Sequence, residues 1–101
     1  MEIIKTLSKM MAEEVHDAEK YAKCALKWKD ERPELARVFD TLSRQEMDHM
    51  QVLHNSAVSI IEEAGRAGVE IPPGMMEAYD LLHEMRIEEA AEVKAMQNMF
   101  R

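Results

Sequence analysis

The chain has 101 residues, 20 acidic and 13 basic, for a net charge of -7, and 47% of it is hydrophobic. That length predicts a single domain over residues 1–101 with a modest core. The charge excludes the basic faces that hold nucleic acid or anionic membranes. No apolar run approaches the ~20 residues of a bilayer span, and the amino terminus lacks a signal-peptide layout, so a soluble, cytoplasmic protein is expected.

All three glycines (Gly65, Gly68, Gly74) and all three prolines (Pro33, Pro72, Pro73) fall in two short zones. They divide the chain into helices expected at about Glu2 to Asp30, Pro33 to Ala67 and Pro72 to Phe100, with Pro33 in a first turn and Gly68 ending the second helix. No window alternates like a strand, and Ala, Leu, Met, Glu and Lys dominate. The fold class is therefore all-α, three long antiparallel helices.

The first helix carries an apolar stripe through Leu7, Met11, Ala18, Tyr21, Ala25 and Trp28, interrupted by Glu14. Cys24, the only cysteine, excludes an intramolecular disulfide and reads as a small hydrophobe beside Tyr21 and Trp28. Glu13 and His16 form a Glu-x-x-His pair, but among Lys9, Asp17, Lys20 and Lys23 they read as a solvated face.

The second helix repeats the interruption. Its stripe runs through Leu35, Val38, Phe39, Leu42, Leu53, Ala57, Ile60 and Ala64, and Glu46 and His49 stand in the middle of it. Residues three apart are neighbours on a helix surface, so this carboxylate and imidazole can reach one ion. A bound ion would offset the cost of placing them in an apolar stripe. On the third helix the stripe is Tyr79, Leu82, Met85, Val93, Met96 and Phe100, interrupted by Glu89, with Glu92 as the neighbouring alternative.

At ~1.5 Å per residue, Glu14, Glu46 and Glu89 return to about the same height in an antiparallel arrangement. Three carboxylates at one level with one histidine predict a metal site of Glu14, Glu46, His49 and Glu89. Oxygen donors with one imidazole and no thiolate suit iron, with manganese or zinc as possible substitutes. The ten methionines lie mostly on or beside the stripes, where they fill gaps rather than bind copper. Four-helix di-iron bundles take one Glu from each of two helices and Glu-x-x-His from each of the other two. The first two helices here supply half of that set, and a two-fold dimer would supply the rest.

At these residues the chain resembles the ferritin-like superfamily, in particular its rubrerythrin-like members and the half-sized encapsulated ferritins. The matching segments are Glu14-x6-Tyr21, Pro33-Glu34-Leu35, and Glu46-Met47-Asp48-His49 thirteen residues after that proline, within roughly Met11 to His54. The resemblance implies a half-bundle that completes a four-helix di-iron bundle by dimerisation, with Glu14, Glu46 and His49 as iron ligands. It also implies a ferroxidase or peroxide-linked iron oxidation, in which Tyr21 donates a hydrogen bond or an electron. A homodimer or a ring of dimers is the expected assembly. Residence in an encapsulin-type shell is not expected, since no separate addressing tail follows Phe100. The competing expectation is a non-catalytic helical oligomerisation module whose metal is mononuclear, structural or absent.

Overall fold

A computed structural model describes residues 2–100 as three helices with no strand among them: α1, Glu2–Trp28; α2, Pro33–Arg66; and α3, Pro73–Phe100. Each lies within two residues of its expected boundary. Pro33 occupies the first turn of α2, where its missing N–H costs nothing. At the far end of α2, Gly68 adopts φ +70°, Val69 N–H donates to Ala64 O over 2.9 Å and Gly68 N–H to Gly65 O over 3.2 Å. This is the paired Schellman closure, and its left-handed residue favours glycine.

The helices pack side by side into a rod of 56 × 18 × 18 Å. Small residues let α1 and α2 approach closely: Ala18, Ala22 and Ala25 on one side, Ala36, Ser43 and Ala57 on the other, are all buried. The core falls into two groups. Ile4, Leu7, Ala57 and Tyr79 close one end with Leu53, Ile60 and Ile61 against them, and Val15, Ala18 and Val93 pack nearer the middle with Met47 and Met50. A buried polar chain ties the helices together there. Ser43 Oγ donates to Ala18 O over 2.7 Å, and Gln97 Nε2 donates to Ser43 Oγ over 2.9 Å.

The expected stripe holds well on α1, where Leu7, Met11, Ala18 and Ala25 are buried and Glu14 and Tyr21 are half-buried. On α2 the expected stripe holds in its second half, where Ala57 is buried and Leu53, Ile60 and Ala64 half-buried, and on α3 it holds at Tyr79, Val93, Met96 and Phe100; the departures lie elsewhere. Leu35 and Val38 are exposed, and Ala36 and Ser43 take the central positions of α2. On α3, Leu82 and Met85 are exposed, while Tyr79, Val93 and Gln97 are buried and His83 and Arg86 half-buried. No described helix is long and apolar enough to cross a membrane.

Candidate metal centre

On α2, Ser43 is buried while Glu46 is half-buried and His49 exposed, so the pair stands at the edge of the buried face rather than in its middle. α3 meets α2 on the side of Arg44, Met47 and Met50: Arg44 donates to Gln97 O, and both methionines pack by Val93. At ~100° per residue, His49 points away from that side and Glu46 lies between, about 40° round the helix from Met50. They face Glu14 of α1 across the helix pair, on a flank that α3 leaves uncovered.

There the three side chains converge. One ligand atom from each of Glu14, Glu46 and His49 lies within 4.8 Å of the others. His49 Nδ1 is 3.5 Å from Glu14 Oε2 and 3.9 Å from Glu46 Oε2. Donors bound to a common ion at ~2.1 Å stand about 3.0–3.4 Å apart at octahedral or tetrahedral angles, so small side-chain adjustments close the set. The carboxylates are mostly covered, with side chains 26% and 21% exposed for Glu14 and Glu46, whereas His49 is 60% exposed and marks the mouth of the site.

The electrostatics suit a cation. Glu46 is pushed up to about 7 from an ordinary 4.5, first by its hydrogen bond with Glu14, then by burial and by the Glu14 charge, with Asp17 adding to the effect and His49 opposing it. Two carboxylates crowded in one covered position thus favour the protonated form of Glu46. Glu14 Oε2 is buried and accepts no hydrogen bond. An oxygen left in that state costs roughly 1–3 kcal/mol, which a metal ion would offset. The donor set of two carboxylates and one imidazole fits iron, manganese or zinc and offers no thiolate.

Glu89 reaches the expected level but the wrong side. Its turn of α3 neighbours Val93, which packs on Val15, yet its carboxylate pairs with Arg86 Nη1 and lines a surface hollow with Lys9, Glu13 and His16. It is not among the three gathered ligands. Glu92 is exposed, within electrostatic reach of Lys23. Glu13 and His16 are both exposed, as their charged neighbours suggested. Tyr21 stands seven residues beyond Glu14 and stacks on Phe39, with ring centroids 6.4 Å apart, outside the ligand group. Asp17 was the residue sequence reasoning missed: it lies one turn from Glu14 and raises the Glu46 carboxyl, a role its i+3 spacing could have revealed.

No protein-family model, curated protein or solved structure matches the chain. The reading of the site therefore rests on its own geometry.

Proposed function

We propose that the chain is a ferritin-like half-bundle whose Glu14, Glu46 and His49 form half of a di-iron centre completed by a second copy, and that it oxidises Fe(II). The observation that carries this reading is the convergence of three ligand atoms within 4.8 Å on an uncovered flank. Two such half-sites across a two-fold axis supply four carboxylates and two imidazoles, the ligand count of a four-helix di-iron bundle.

The surface supports a partner on that flank. Leu35, Leu42 and His49 recur every seven residues, so exposed Leu35 and half-buried Leu42 share the face of α2 that carries the site, with exposed Val38 between them. The whole chain exposes 6789 Å², against about 5,900 Å² for a compact monomer of this mass. The excess is of the order of the ~800 Å² that each partner contributes to a standard interface.

Bound iron supplies the redox chemistry, giving up one electron per ion to dioxygen or peroxide. The residues do the rest. Glu46 releases its proton as the ion enters and becomes a shared or chelating carboxylate; Glu14 and the neutral imidazole of His49 serve as terminal ligands.

Oxygen uptake on adding Fe(II) to the metal-free protein tests the reading. Iron-dependent consumption that disappears in Glu46→Ala supports it. Metal binding without oxygen consumption would favour the competing module, with a mononuclear or structural ion held by one chain.

A further inference from the structure

The side of the molecule opposite the triad holds a second polar cluster that iron chemistry does not use. A cleft of about 260 Å³ is lined by Met11 of α1, Met50 and His54 of α2, and His83 and Arg86 of α3, among others. The rings of His54 and His83 stack with centroids 4.5 Å apart and planes within 9°. Tyr79 stacks on His83 in turn at 6.0 Å.

Three nitrogens of this cleft's walls are buried without a hydrogen-bond partner: His54 Nδ1, His83 Nδ1 and Arg86 Nε. A buried polar group in that state is costly unless something meets it. Arg86 Nε–H can only donate, so whatever meets it must accept. A metal ion does not fit. The guanidinium is a fixed positive charge in the wall and repels a cation. The chain has 20 acidic residues, yet no carboxylate lines this cleft. At ~30 Å³ per water in the liquid, the space admits a phosphate-sized group with a few waters around it.

We propose that this cleft binds a small oxyanion, a phosphate or carboxylate group, held by Arg86 Nε–H and the ring N–H groups of His54 and His83. Glu89 engages Arg86 at Nη1 from the neighbouring hollow and leaves Nε free for the anion. Burial, and then the neighbouring His83, hold His54 below the usual imidazole range, so the empty cleft keeps that ring neutral at pH 7. A bound anion favours the protonated rings, and its affinity rises as pH falls. The other charged or titratable groups facing the pair are Arg86 and Tyr79 of α3; Asp80 acts on Tyr79, and α1 contributes only Met11 to the lining.

The test follows the histidine ring nitrogens of the full-length, metal-free chain by NMR. Phosphate or acetate is titrated at constant ionic strength with chloride as the balancing ion, at about pH 7.5 and about pH 6. Saturable shifts at His54 and His83, absent at His16 and His49 and with several-fold tighter binding at the lower pH, are expected for at least one of the two anions. Saturation by phosphate alone assigns a phosphate group, and by acetate alone a carboxylate. Arg86→Gln should weaken binding by roughly tenfold or more, the loss of one charge-assisted hydrogen bond. If that variant does not fold, Arg86→Lys, which keeps the charge and removes the Nε donor, should show the same loss of affinity. Shifts that never saturate, equal shifts at all four histidines, or wild-type affinity in a folded Arg86 variant would overturn the proposal.

Discussion

The charge state of one carboxyl sets the behaviour of the site. Glu46 titrates at about 7 in the folded chain and near its ordinary 4.5 when unfolded, so its folded pKa is raised. The folded state therefore keeps a proton that the unfolded state releases, and metal-free stability falls as pH climbs from 4.5 through 7, by about 1–3 kcal/mol. Thermal denaturation of the chelated protein across that window should show the fall, and Glu46→Gln should flatten it. Metal binding runs the other way. An ion must displace the Glu46 proton, so metal affinity should rise with pH up to about 7 and level off above it, which calorimetry in buffers of different ionisation enthalpy can read as proton release. At the same scale, Glu46→Ala and His49→Ala should abolish metal uptake while Glu13→Ala and His16→Ala leave it intact, because the second pair is exposed and outside the ligand group. Equal losses in both pairs, measured by equilibrium dialysis, would contradict the assignment.

Among the helices, the sequence pattern was most legible where glycine and proline act alone. Pro33 and Gly68 mark the ends of α2 because each has a backbone preference that no packing partner changes. Which face of a helix is buried depends on its neighbours, and there the pattern was less reliable. On α2 the centre of the interface is Ala36 and Ser43, small residues that carry little hydrophobic signal but permit close approach to Ala18 and Ala22. On α3 apolar residues lie all round: Leu81, Met85, Ile87 and Met99 are exposed while Gln97 is buried, so periodicity could not choose the face, and Glu89 was assigned to the wrong side with it. Glu14, Glu46 and His49 remained legible because spacing along two helices fixes their height. Two variants check this account. Ser43→Ala strands the Gln97 amide between helices and should cost about 1–3 kcal/mol by urea denaturation. Gly68→Ala meets no atom within 4 Å but must hold φ +70°, so its cost should be the backbone term alone, about 1–2 kcal/mol.

For the molecule as a whole, shape and chemistry point the same way. A radius of gyration of 16.3 Å, against about 13 Å for a compact domain of this length, describes an elongated rod, the shape that the proposed pairing with a second copy would thicken. The Glu14, Glu46 and His49 triad opens to solvent at His49. In the proposed dimer an empty centre crowds four carboxylates at the axis, and bound iron relieves their repulsion. Sedimentation at matched concentration should therefore show more dimer, or a larger ring of dimers, with Fe(II) than after chelation. Glu46→Gln should strengthen the metal-free dimer while destroying iron binding, and a variant that dissociates more readily than the metal-free parent would exclude the two-fold arrangement. The central claim, that each chain holds half of a shared centre, is tested most directly by iron content and solution mass measured on the same purified sample, with the ion positions located by anomalous scattering at the iron edge. The account predicts about one iron per chain in a dimer or a multiple of it, with paired ions held between the Glu14, Glu46 and His49 groups of two copies. An ion bound wholly within one chain, or a dimer that takes up no iron, would contradict it.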